Sequence, residues 1–167
     1  MQKYKGLKIG VIGCGYWATN IIKTLENLGL KNIFIFDKDS TKINLIKKKF
    51  NFIKISKDID SLLSLDLDCY FLITPASTHY KIAKKIINSK KDIFIEKPAT
   101  LNSKNLNELI NMSKKNKNIL MSGYIYNYNV YINYIKKILK KNALGKIKYM
   151  YLERCNLGPI RNDTSCI

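Results

Sequence analysis

The stretch Leu7-Lys8-Ile9-Gly10-Val11-Ile12-Gly13-Cys14-Gly15-Tyr16-Trp17-Ala18 decides the fold. Its apolar run, 7–12, has the length and composition of a buried strand and breaks on a Gly-x-Gly-x-x-Ala pattern. A strand, such a turn and then a helix open a dinucleotide-binding βαβ unit. Gly13 permits the tight turn, Gly15 lets backbone approach a pyrophosphate, and Ala18 is small enough for close helix–strand packing. The N–H groups of the first helical turn then face the phosphates. Asp37 follows 22 positions after Gly15, at the end of the next apolar run, where a carboxylate accepts from both hydroxyls of an adenosine ribose. Asp37 repels a 2′-phosphate and so favours NAD; Lys38 beside it is the residue that would offset this and admit NADP.

Outward from this stretch, strand and helix alternate. Trp17, Ile21, Leu25 and Leu28 recur at helical spacing, with Gly29 where the helix would stop. Strands are expected over 32–36, 51–55, 69–73, 92–95 and 118–121. Helices are expected after a cap at Asp39 or Ser40, with Ile43, Leu45 and Ile46 inward, then over 59–65, 78–89 and 103–115. The helix over 78–89 carries an apolar stripe of Ile82, Ala83, Ile86 and Ile87. The alternation predicts an α/β fold, a Rossmann-type doubly wound parallel sheet. After Gly123 the character changes. Tyr124, Tyr126, Tyr128, Tyr131 and Tyr134 lead into a helix ending near Asn142, Ala143-Leu144-Gly145 turns the chain, and a strand is expected over 146–156. Residues 1–122 are read as an NAD(P)-binding domain, and 123–167 as the incomplete beginning of a C-terminal substrate domain.

Composition narrows the partners. The net charge is +18, but 28 of the 30 basic residues are lysine, scattered as short pairs such as Lys84–Lys85 and Lys136–Lys137 on what read as solvent faces of helices. No arginine fork and no basic stripe interleaved with aromatics stands out, so no specific nucleic-acid partner is expected. No apolar run approaches the roughly 18–20 residues of a membrane span, and the short N-terminal apolar run does not read as a signal peptide, so a cytoplasmic protein is expected. Cys14, Cys69, Cys155 and Cys166 show no CxxC pairing, and His79 is the sole histidine; neither a metal site nor a disulfide framework is indicated.

Two further clusters sit at the carboxyl ends of expected strands, the edge where open α/β sheets take ligands. They are Thr74-Pro75-Ala76-Ser77-Thr78-His79-Tyr80 and Glu96-Lys97-Pro98. With Gly13-Cys14-Gly15-Tyr16-Trp17, Ser122-Gly123 and the Asn156-Leu157-Gly158-Pro159-Ile160-Arg161 stretch, they closely resemble the Gfo/Idh/MocA oxidoreductases across essentially the whole chain. The resemblance implies a pyrophosphate turn made by Gly13, Gly15, Tyr16 and Trp17, with Asp37 on the ribose. Thr74, Pro75 and His79 would line the path of the dinucleotide. Glu96 and Lys97 would sit beside the nicotinamide. Lys97, partly buried there, would act as the catalytic residue by polarising or helping to deprotonate a sugar hydroxyl.

Members of that family usually continue for over a hundred residues more, into an α/β domain that supplies much of the sugar pocket and commonly a histidine acting with the lysine. The chain carries no such histidine, and Tyr124 stands where many members have one after the glycine. The expectation is the NAD(P)-binding portion of a dehydrogenase acting on a sugar or nucleotide sugar, inactive alone. It would be a truncated member, a homo-oligomer or a chain completed by a separate C-terminal polypeptide. The competing reading is a non-catalytic nucleotide-binding or regulatory module.

Overall fold

The computed structural model describes residues 4, 6–153 and 155. Arg154, the 156–161 stretch and Cys166 lie outside the described residues. Backbone packing divides the chain into two units, one up to Gly123 and one from Tyr124 on.

The first unit runs β1 (Ile9–Ile12), α1 (Tyr16–Asn27), β2 (Ile33–Phe36), α2 (Ser40–Lys49), β3 (Lys54–Ile55), α3 (Ile59–Ser64), β4 (Cys69–Leu72), α4 (Ala76–Asn88), β5 (Asp92–Ile95), α5 (Ser103–Asn116) and β6 (Leu120–Ser122). All six strands are parallel, in the order β3-β2-β1-β4-β5-β6. This is the Rossmann order: the sheet grows outward from β1 in both directions, and every strand ends on the same edge.

Side-chain alternation divides the core in two. Ile9 and Val11 pack with Ile33 and Ile35 against Ala18 and Ile22 of α1 and Ile43 and Ile46 of α2. On the other face Ile12, Tyr70, Leu72, Ile93 and Ile95 meet Leu62 of α3, Ala83 and Ile86 of α4 and Leu109 of α5. Each such side chain contributes roughly 1.5–3 kcal/mol on removal from water. Short polar residues start the helices: Asp39 accepts from the Thr41 N–H, Asp58 from Ser61, and Asn102 from Asn105.

The structure corrects several expectations. The buried stripe of α1 is Ala18, Ile22 and Leu25, while Trp17 and Leu28 are half exposed. Two apolar stripes one residue apart compete on this helix, and the small Ala18 faces the sheet because the helix starts hard against β1. Leu45 is exposed. The third strand shrinks to two residues at the sheet edge, and α4 begins at Ala76, which brings His79 onto its buried face.

In the second unit a 3₁₀ turn over Ile125–Tyr128 leads into α6 (Val130–Lys140), and neither contains a buried residue. The expected strand over 146–156 does not form within 146–153, where the backbone is irregular. A strand exists only through pairing, and an apolar, β-prone run such as Tyr149–Leu152 is not one until another edge meets it. No helix among the described residues is long and apolar enough to cross a membrane.

Gly10 has a packing role that its place in a strand interior does not reveal. A Cβ there would lie 2.5 Å from Cδ1 of Tyr70, whose buried ring fills the space and whose hydroxyl donates to the Leu62 carbonyl at 3.2 Å. Gly10→Ala is expected to cost about 1–3 kcal/mol by overpacking, read as a lower urea midpoint at unchanged slope.

Candidate functional site

The carboxyl edge of the sheet gathers most of the predicted site residues. At its centre the β1–α1 turn passes through Gly13, whose φ of +100° suits glycine. A Cβ at Gly13 would also come within 2.8 Å of the Ile73 carbonyl carbon and 2.9 Å of the Thr74 nitrogen, so the turn lies directly on the backbone leaving β4. On its other side the Gly13 N–H donates to the Phe36 carbonyl at 2.8 Å, and the Cys14 N–H donates to Asp37 Oδ2 at 2.6 Å. Asp37 Oδ1 accepts the Asp39 N–H at 2.9 Å.

Gly15 is the N-cap of α1, and no side chain caps that helix. Apart from its chain neighbours, no atom of the described residues lies within 4 Å of where its Cβ would be, so the amino terminus of a twelve-residue helix is unobstructed there. Tyr16 and Trp17 flank it as an exposed edge-to-face pair, with ring centroids 5.7 Å apart. Lys38 is exposed beside Asp37. This arrangement fits a dinucleotide. The uncapped helix end accommodates a pyrophosphate. A carboxylate offers about four lone-pair sites, so Asp37 keeps acceptor capacity beyond its two backbone bonds.

Farther along the edge, Thr74 follows β4, its hydroxyl 2.7 Å from that of Thr78, and Pro75 caps α4. His79 is 1% exposed. Its Nε2 lies 2.7 Å from the Thr74 carbonyl and its Nδ1 lies 2.9 Å from the Pro98 carbonyl. Both ring nitrogens therefore face backbone, and the histidine ties the loop after β4 to the loop after β5. A neutral imidazole has one N–H and donates to one of these carbonyls; the doubly protonated ring donates to both.

Glu96, half-buried after β5, accepts the Lys97 N–H at 2.9 Å. A Cβ at Gly123 would lie 3.0 Å from Glu96 Oε1, so the glycine after β6 keeps room for this carboxylate. Lys97 is exposed, and its ammonium has no ion pair or hydrogen bond among the described residues. The partial burial expected of it is not supplied by this unit.

Sequence reading missed the Cys14 N–H as a partner of Asp37, and it missed the roles of Gly123 and the His79 carbonyl pair. All are contacts between segments far apart in the chain, and local pattern carries no signal of them. Cys14 is buried in the turn, where desolvation and then the charge of Asp37 push its thiol up to about 12; burial lifts Cys69 to about 11.

His79→Ala is expected to cost roughly 1–3 kcal/mol in chemical denaturation, because the loops lose their tie and the carbonyls their donor. At pH 8 Cys14 and Cys69 should resist alkylation in the native chain and label only in denaturant, by peptide mapping. Folding raises both thiols. The associated stability is full below their ordinary 9.0 and fades as pH climbs towards 11–12.

Known proteins share the sequence family and the fold of this chain. An oxidoreductase of Streptococcus pneumoniae is 26% identical over 150 residues, covering 89% of the chain and 40% of the relative. Myo-inositol 2-dehydrogenase of Thermotoga maritima is 25% identical over 142 residues, covering 84% and 42%. The chain thus spans about two fifths of the length of these relatives. Among solved structures, the WlbA dehydrogenase of Bordetella pertussis, in complex with NADH and UDP-GlcNAcA, superposes with a TM-score of 0.75 at 17% identity, over 84% of the chain and 41% of its own. The model of the Gfo/Idh/MocA oxidoreductases, described as an NAD-binding Rossmann fold, matches residues 7–124, and the chain belongs to that family.

Proposed function

We propose that residues 1–122 form the NAD-binding domain of an oxidoreductase that moves a hydride between a sugar or nucleotide-sugar hydroxyl and the nicotinamide. The observation that carries this reading is the uncapped, unobstructed start of α1 at Gly15, with the Asp37 carboxylate fastened to the same turn. Gly13, Gly15, Tyr16 and Trp17 would hold the pyrophosphate, and Asp37 would take the adenosine ribose. Thr74 and Pro75 would lie along the dinucleotide, in loops kept together by His79. Glu96 and Lys97 would sit at the nicotinamide end. The bound cofactor supplies the hydride acceptor; Lys97 holds or moves the proton of the substrate hydroxyl. A sugar-class substrate is supported by the relatives, one named for myo-inositol and one solved with UDP-GlcNAcA.

Residues from 123 on would begin a substrate domain. Its helix α6 and the Tyr149–Leu152 run expose Tyr131, Tyr134, Tyr149 and Leu152, as expected of elements that lack their packing partners. A longer form of the protein, a homo-oligomer or a complementing C-terminal polypeptide would supply them. The exposed, unpartnered state of Lys97 favours, as a second reading, a nucleotide-binding module without turnover.

The site permits a clean test, because Gly15 has a φ of −73° and an empty surround, so Gly15→Val can fold while filling the pyrophosphate space. NADH titrated into the 167-residue chain, followed by nicotinamide fluorescence, should saturate. Gly15→Val should weaken it by about tenfold or more, equivalent to 1.4 kcal/mol. NADPH should bind at least about fivefold more weakly than NADH, the effect of about 1 kcal/mol of charge repulsion at Asp37. Unchanged binding in Gly15→Val would overturn the site assignment.

Turnover separates the two functional readings. Hydride transfer needs the substrate carbon held about 3–3.5 Å from the nicotinamide, a positioning that can supply roughly 7–11 kcal/mol of the barrier. The chain alone is therefore expected to form no NADH from UDP-amino sugars, free sugars or inositol. A separately expressed C-terminal polypeptide should restore activity, which Lys97→Ala should then abolish. Continued inactivity in a fully assembled complex that binds both ligands would favour the module.

A further inference from the structure

We propose that Asp37 is also a positioning residue for the pyrophosphate: its carboxylate holds the Gly13–Gly15 turn in shape, so cofactor affinity depends on it through the phosphates as well as through the ribose. This deepens the reading above and rests on the turn being a dinucleotide site.

The turn is gripped from two sides. Towards β4 it is jammed: a Gly13 Cβ would sit 2.8 Å from the Ile73 carbonyl oxygen, and the turn has no room to relax that way. Towards β2 it is held by two hydrogen bonds, Gly13 N–H to the Phe36 carbonyl at 2.8 Å and Cys14 N–H to Asp37 Oδ2 at 2.6 Å. The second is the shorter and is assisted by charge, roughly twice as strong as a neutral pair. Cys14 is only 5% exposed, so its N–H has no ready replacement partner in water if the carboxylate is removed. The other oxygen, Oδ1, is fixed by the Asp39 N–H at 2.9 Å, which prevents the carboxylate from rotating away. One residue downstream lies Gly15, the start of α1. A shift at Cys14 therefore shifts the helix N–H groups that would meet the phosphates.

Ribose contact alone and turn-holding predict opposite signs for one measurement. The probes are ADP and 2′,3′-dideoxyadenosine diphosphate, which share adenine and pyrophosphate but differ in the ribose hydroxyls. If Asp37 acted only on the ribose, Asp37→Ala would weaken ADP and leave the dideoxy probe unchanged. Loss of a negative charge near the phosphates would even tighten it. If Asp37 holds the turn, Asp37→Ala weakens the dideoxy probe as well, by about fivefold or more, equivalent to about 1 kcal/mol for the lost bond. Asp37→Asn keeps the size and one acceptor oxygen, so it should fall between wild type and Asp37→Ala for both probes.

Calorimetric titration of both probes into the 167-residue chain and the two variants reads this out, with thermal melting to confirm folding. Asp37→Asn carries the test if Asp37→Ala does not fold. Without ligand, amide exchange at Cys14 should accelerate in the variants. Dideoxy binding that is unchanged or tighter in folded variants overturns the proposal and leaves the site assignment standing. A wild-type chain that binds neither probe overturns both.

Discussion

Strand β1 has only four residues, Ile9–Ile12, yet it pairs along its length with β2 on one side and β4 on the other. Its central position determines what can happen at its end. Parallel neighbours finish at the same edge, so three chain segments leave β1, β2 and β4 almost in contact. They avoid collision because the one in the middle passes through Gly13, with no Cβ and a φ of +100°. The close approach then becomes useful, because backbone N–H groups of the turn come within reach of β2 and the helix terminus is left clear. Any side chain at position 13 would disturb the packing of β1 on β4 and the geometry of the turn together.

From this turn a continuous series of contacts runs along the edge. Asp37 meets Cys14, Gly13 rests on Thr74, Thr74 meets His79, His79 meets Pro98, and Glu96 lies against Gly123. All but the Thr74–His79 link join segments that follow different strands, and most use backbone atoms. Exposed side chains such as Lys97 and Trp17 stand on this frame without forming part of it. A substitution in the frame should be felt at several positions along the edge, whereas one at an exposed residue should be felt locally.

What could be read beforehand follows from the range of the forces involved. Strand and helix alternation, the helix caps and the glycine turn are local, set by periodicity and by φ preferences, and they stand in the sequence at the right places. The choice between two apolar stripes on α1 depends on how near the helix lies to β1, which the stripe does not encode. Gly10 looks like a weakness in a strand until the ring of Tyr70, sixty positions later, is seen to occupy its space. His79 is legible as a residue of interest, but its two carbonyl partners lie in different loops, one of them 19 positions away. No strand forms over 146–153 for the opposite reason: the local pattern is β-prone, but a strand needs an edge to pair with, which local pattern does not supply. Local chemistry therefore showed which residues form the candidate site, while long-range packing decides which of them touch.

The charge of the chain bears on the proposed site in a less direct way. Among the described residues five acidic side chains pair with lysines, as in Lys84–Glu108, Lys85–Asp60 and Lys91–Asp66, pairs worth roughly 0–1 kcal/mol each. Asp37 is not among the ion pairs of the described residues; its oxygens serve backbone N–H groups instead. A net charge of +18 attracts any anionic cofactor, and a 2′-phosphorylated one more strongly, which opposes the local discrimination at Asp37. Range settles the contest. At physiological ionic strength the Debye length is about 8 Å, so scattered surface lysines are screened, while a carboxylate touching the ribose, as proposed for Asp37, would not be. Low salt strengthens the general attraction and narrows the gap between the two cofactors. Physiological salt would restore the advantage of the proposed contact, so on that reading cofactor selectivity would rest on one fixed carboxylate acting at short range within a broadly positive surface.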